Sequence, residues 1–119
     1  MDKNCTVYKT ANFIGKRWTL LILLELYKGK QGIKRYSDLK RKLPDITPKI
    51  LSSRLKELQN VGLINKKLDS SVMPIRSEYS LTASGLDFIK IIKEIKDWSL
   101  KWMPKAKECS VADCKICDL

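Results

Sequence analysis

At 119 residues the chain is one domain with room for a modest core, and its 44% apolar content excludes a disordered polymer. Lys and Arg number 24 against 13 acids, a formal charge of +11 that calls for a polyanionic partner. Nucleic acid is the first candidate and an anionic membrane surface the second.

No stretch is apolar enough to cross a bilayer: the longest apolar run is Leu20 to Leu24, with Arg17 and Glu25 close to its ends. Met1-Asp2-Lys3-Asn4-Cys5 does not read as a signal peptide, so the chain is expected in the cytoplasm. Cysteines there are usually reduced. The four in this chain suggest metal binding, redox sensing or plain packing before structural disulfides.

In chain order, the spacing predicts a short amphipathic helix over 5–14, with Val7, Ala11 and Ile14 on one side. Gly15-Lys16 breaks it. A second helix over about 17–28 is expected to bury Trp18, Leu21, Ile22 and one of Leu24 and Leu26. Gly29 and Gly32 bracket a turn, and Ile33 to Tyr36 reads as a short strand. A third helix covers about 37–43, with Leu39 and Leu43 inward and Pro44 helping to stop it.

The fourth helix is the best defined. Thr47 is a good N-cap, because its hydroxyl can accept from an orphan backbone N–H, and Pro48 suits the first helical position. At about 100° per residue, Ile50, Leu51, Leu55 and Leu58 share an apolar arc, while Lys49, Ser52, Ser53, Lys56 and Asn60 share the opposite one. Gly62 is placed to end the helix in a left-handed conformation. The polar face holds cations and small hydrogen-bonding groups and no acid. A rigid helix with such a face fits the major groove of DNA, although any surface helix can show lysines and serines. The run of Lys28, Lys30, Lys34, Arg35, Lys40, Arg41 and Lys42 just upstream, against the single acid Asp38, favours phosphate contact over a merely solvated face.

Two extended runs follow, Leu63 to Leu68 and Arg76 to Leu81, joined by the polar, proline-bound segment from Asp69 to Pro74. Thr82 then caps a long helix reaching about Met103, with Leu86, Ile89, Ile92, Ile95, Trp98 and Trp102 as its apolar set. The order is helix, helix, short strand, helix, helix, hairpin, long helix. That is a mainly α fold with a small β-hairpin: a winged helix-turn-helix with an extra helix at each end. Arg76, at the base of the wing, can enter a minor groove or hold a phosphate.

Several blocks resemble the HxlR-type transcription regulators. They are Ile14-Gly15-Lys16-Arg17-Trp18 with Leu21-Ile22-Leu23, Tyr36-Ser37-Asp38-Leu39, and the stretch from Ile46 to Leu58. Gly62-Leu63-Ile64 and the stretch from Glu78 to Gly85 complete the match. The likeness covers about residues 5–103 without a gap between blocks. It implies a DNA-binding homodimer, with the first and last helices forming the dimer contact and the Thr47 helix entering the major groove. Independently, Trp98, Trp102 and Met103 near the end of the last helix exceed what a small monomer readily covers. Folding back onto the first helix within one chain is the alternative. Two-fold symmetry would make the operator palindromic. On this reading residues 1–104 form the DNA-binding and dimerisation domain and 105–119 a cysteine-containing tail.

Individual roles follow. Lys49, Ser52 and Ser53 lie near the helix start, within reach of base edges, and Lys56 a turn later suits a phosphate. Thr47 and Pro48 open the helix, and Thr47 can cap and touch a phosphate at once. Arg54 lies at the margin of the apolar arc, where packing its stem and contacting a phosphate are equally open. Lys34 and Arg35 are phosphate candidates from the strand.

Cys5 stands where many members of the resembled family carry an N-terminal cysteine, used in some as a thiol sensor; here Thr6 replaces the usual following proline. It opens the first helix beside Lys3 and Lys9, a setting that favours thiolate; a small buried residue at the dimer contact is the alternative. Cys109, Cys114 and Cys117 lie beyond the family's motif, and Cys114-Lys115-Ile116-Cys117 has metal-ligand or dithiol spacing. With no histidine in the chain, a soft-metal site would be mainly thiolate. Zinc or an iron–sulfur cluster held by these three and Cys5 is one reading, a thiol–disulfide switch a second, an inert tail a third.

A thiol redox protein using Cys114 and Cys117 is the competing function of another class, but that pair lies in a terminal tail and not at a helix start after a strand. A winged-helix protein-interaction module is a third, and the fourth helix lacks the aromatic or aliphatic anchor it would need. Hydrolytic or phosphoryl-transfer catalysis has no support: there is no histidine, no glycine-rich phosphate loop and no paired acid motif.

Overall fold

A computed structural model describes residues 1–29, 31–103 and 115. The elements are α1 (Thr6–Ile14), α2 (Arg17–Tyr27), β1 (Ile33–Arg35), α3 (Tyr36–Lys42), α4 (Pro48–Asn60), β2 (Ile64–Asp69), β3 (Arg76–Leu81) and α5 (Ala83–Trp102). This is the expected winged helix-turn-helix, mostly helical with a small antiparallel sheet. The sheet has three strands in the order β1-β3-β2, so the short first strand pairs onto the wing. Its register sets Lys34 opposite Tyr79 and Arg35 opposite Glu78.

The core lies where α2, α3 and α4 meet the sheet. Ile22, Leu23, Leu26, Leu39, Leu51, Leu55 and Leu58 are all essentially sealed from solvent. The chain reverses after α4 through Gly62, whose φ of +83° is a left-handed conformation open to glycine at little cost.

The start of α5 is tied to that same turn. Thr82 caps the helix by accepting from Gly85 N at 3.1 Å, and its own Oγ1 donates to Gly62 O at 2.6 Å. Thr82 N donates to Leu63 O at 3.0 Å. The backbones run so close here that a Cβ on Gly85 would stand 2.2 Å from Leu63 O. Glycine at position 85 is therefore a packing requirement inside a helix.

One expectation about burial needs correction. Leu21 was expected in the core, yet α2 turns Thr19, Ile22, Leu23 and Leu26 inward and leaves Leu21 exposed, with Trp18 half-buried. The run Leu20 to Leu24 is apolar on every side, so periodicity alone could not choose the buried stripe. The apolar set of α5 also divides. Ile89 and Ile92 are buried, whereas Leu86, Ile95, Trp98 and Trp102 are exposed, Trp102 to 65%. α5 packs against α2 and β3, and its last buried residue is Ile92.

Candidate nucleic-acid interface

The α4 surface is built from its cap outward. Thr47 Oγ1 accepts from Ile50 N at 3.2 Å, and Pro48 occupies the first turn. Leu51, Leu55 and Leu58 anchor the inner face. Lys49, Ser52, Ser53, Lys56 and Asn60 all lie exposed on the other side, so the structure brings together the residues expected to face a groove. The one acid of this helix, Glu57, is turned aside: its Oε2 accepts from Lys16 Nζ at 2.8 Å and lies 3.4 Å from Arg54 Nη1. Arg54 is thus engaged within its own helix, which favours the packing reading of its stem.

Lys34 needs a correction. Its Nζ is turned inward, donating to Glu25 O at 3.1 Å and to Lys28 O, and so satisfies carbonyls at the C-terminal end of α2. Burial holds its pKa below the ordinary lysine value, against the opposing pull of Glu25. Two of its three ammonium donors are thereby used inside the fold. Arg35, by contrast, remains partly exposed, with Nε 3.7 Å from Asp38 Oδ2. Asp38 also caps α3 by accepting from Arg35 N at 3.0 Å.

The wing stands beside this surface. Arg76 lies at its base and is exposed, as are Lys66 and Lys67 on β2, which the sequence reading did not single out. The wing turn is held locally by Asp69, whose Oδ1 accepts from Ser71 N at 3.0 Å and from the Ser71 hydroxyl. Those bonds lower the Asp69 pKa. Between the wing base and the start of α3 lies a cleft of about 400 Å³ lined by Arg35, Tyr36, Ser37, Ile75, Arg76 and Ser77. Tyr36, to which the sequence reading gave no role, also borders this cleft. Its Oη donates to Pro48 O at 3.2 Å and lies 3.3 Å from Ser52 Oγ. Only the quoted Tyr-Ser-Asp-Leu block marked the position, and nothing in its spacing indicated a contact sixteen residues downstream.

Cys5 takes the N-cap position of α1 and is half-buried. Cys109, Cys114 and Cys117 lie outside the described residues, so the four-thiolate set has no described geometry. Among the described residues no group of three or more His, Cys, Asp or Glu could hold a metal ion, and no helix is long and apolar enough to cross a membrane.

A capped helix with an exposed basic face, braced by a second short helix and flanked by a β-hairpin, defines a winged helix-turn-helix protein. The HxlR-like helix-turn-helix family model matches residues 13–107, and the chain belongs to that family. It is 36% identical over 95 residues to the uncharacterized HTH-type transcriptional regulator YvaP of Bacillus subtilis (strain 168), covering 80% of this chain and 84% of that one. Among solved structures, the reduced form of the transcriptional regulator YodB from B. subtilis aligns with a TM-score of 0.70 at 28% identity, over 82% of this chain and 93% of that one. The redox regulator HypR in its oxidized form aligns with a TM-score of 0.70 at 29% identity, over 82% and 96% of the two chains. The protein is a transcription regulator of the helix-turn-helix type and not an enzyme.

Proposed function

We propose that this regulator acts as a homodimer on a palindromic operator, inserting α4 of each protomer into the major groove. The observation that carries the reading is the acid-free exposed face of α4, rigidly capped and standing next to the wing. Lys49, Ser52 and Ser53 read base edges. Lys56, Thr47 and the first turn at Pro48 meet the backbone, and Arg35 and Arg76 take phosphates from the strand and the wing. Dimerisation through α1 and α5 is supported by the apolar side chains left in solvent: Val7 on α1 and Ile95, Trp98 and Trp102 on α5.

Selection of duplexes from a randomised pool, followed by footprinting, tests this reading. A protected two-fold site is expected, and Ser53→Ala should change preference at one base pair by about 1–3 kcal/mol. A protein that enriches no sequence, or whose Lys49→Ala and Ser53→Ala variants bind every duplex as the wild type does, ends it.

A thiol response is a second element of the proposal. Cys5 lies half-buried at the N-terminus of α1, within the proposed dimer contact, and a structural neighbour is a redox regulator. Oxidant should alter operator affinity of the wild type and leave Cys5→Ser unaffected. Metal analysis of anaerobically purified protein tests the thiolate-held zinc or iron–sulfur cluster alongside it.

A further inference from the structure

The cleft between the wing base and the start of α3 has two kinds of wall. Arg35 and Arg76, which carry guanidinium groups, and Ser37 and Ser77, which carry hydroxyls, are among its lining residues. Tyr36 and Ile75 contribute a ring and an aliphatic side chain. A guanidinium matches phosphate oxygens with paired donors, and ring and aliphatic carbons match the C–H face of a deoxyribose. No acid is among the lining residues; Asp38, the acid nearest Arg35 in the ion pairs, meets it from α3 at 3.7 Å. Arg35 faces Glu78 and Arg76 faces Asp69 across the sheet, and both arginines border the one cleft.

Tyr36 belongs to two places at once. Its side chain lines the cleft, and its hydroxyl reaches Pro48 O and the Ser52 hydroxyl on the exposed face of α4. Anything seated against Tyr36 is thereby placed at a set distance from a residue facing the groove.

We infer that this cleft seats one sugar–phosphate unit of duplex DNA, with Arg35 and Arg76 sharing a single phosphate and Tyr36 setting its register against Ser52. The inference rests on the DNA-binding reading above and goes further in two respects. The two arginines act on one phosphate, not two, and Tyr36 is a positioning residue that works through Ser52.

The test uses full-length protein and a duplex it has selected from a randomised pool. Affinity is measured against salt for the wild type, Arg35→Gln, Arg76→Gln and the double variant. With one cleft in each protomer of the homodimer, a shared phosphate predicts that the double variant lowers the salt slope by about two, because roughly one counterion is released per neutralised phosphate. The two single losses are then not additive. One neutral methylphosphonate linkage per half-site should weaken the wild type on the order of tenfold and leave the double variant unchanged. That arm needs no variant to fold in the scored position, since the wild-type protein reports the linkage. Tyr36→Phe keeps the ring and should reduce discrimination between selected and scrambled duplexes several-fold with the salt slope unchanged. A merely structural role would lower the melting temperature and leave that ratio alone.

A slope that falls by about four, additive losses, or the absence of any such linkage overturns the shared-phosphate claim. An unaltered discrimination ratio in Tyr36→Phe overturns the positioning claim. If the wild type selects a duplex and Lys49→Ala weakens it while these results fail, only this inference falls. If the wild type selects no duplex, the DNA-binding reading falls with it.

Discussion

α4 and the second half of α5 are both exposed, and they are exposed for opposite reasons. The outer face of α4 carries lysines, serines and an asparagine over a sealed row of leucines, so it is content in water and attractive to a polyanion. The second half of α5 carries Ile95, Trp98 and Trp102 exposed, and none of its residues beyond Ile92 is buried. Large aromatic groups left in water are unfavourable, at about 25 cal/mol per Å² of apolar surface, so they call for another protein surface. One helix is finished and waits for charge; the other is unfinished and waits for a partner. Exposure alone therefore says nothing of function until the chemistry of the exposed side is known.

Four changes would break or sharpen that contrast. The largest effect is expected from Gly85→Ala, which drives a Cβ to within 2.2 Å of Leu63 O and must part α5 from the turn after α4. A loss of about 3 kcal/mol or more is expected in chemical denaturation, beyond the ordinary cost of a surface substitution. Trp98→Glu comes next. It leaves the buried part of α5 intact and should shift the sedimentation of the protein toward the monomer, with weaker operator binding as a consequence of lost symmetry. An unchanged oligomeric state would place the dimer contact elsewhere.

Thr47→Ala removes the side-chain acceptor for Ile50 N. It should lower stability by about 1 kcal/mol and weaken binding by loosening the first turn of α4. Lys34→Ala is the smallest in its effect on DNA. Because Nζ is bound to the carbonyls of Glu25 and Lys28, its loss should frustrate the end of α2 and reduce thermal stability. The salt slope of DNA binding should stay as in the wild type; a slope lower by about two, one phosphate for each protomer, would restore Lys34 to the phosphate contacts.

Much of the fold was legible from local chemistry. Thr47-Pro48 marks the start of α4, Gly62 its end, and Thr82 the start of α5, because each meets a backbone need that is settled within four residues. The strand from Arg76 to Leu81 was read with its observed bounds. The polar face of α4 was equally plain, since one apolar stripe leaves only one face for water. Other features were not legible. The Leu20 to Leu24 run of α2 is apolar on all sides, so its buried stripe depends on which neighbours pack against it. Lys34 reads as one more lysine in a basic run until α2 brings its carbonyls within reach. Tyr36 meets Ser52 only after α3 and α4 have packed.

The sequence by itself determined where α4 and α5 begin and which side of α4 meets water, because caps, turns and periodicity are interactions between near neighbours along the chain. The tertiary structure alone decided which charges stay available, which half of α5 is left uncovered, and that Arg35 and Arg76 line one cleft. Those outcomes depend on distances between residues far apart in sequence, and such distances exist only once the elements have packed.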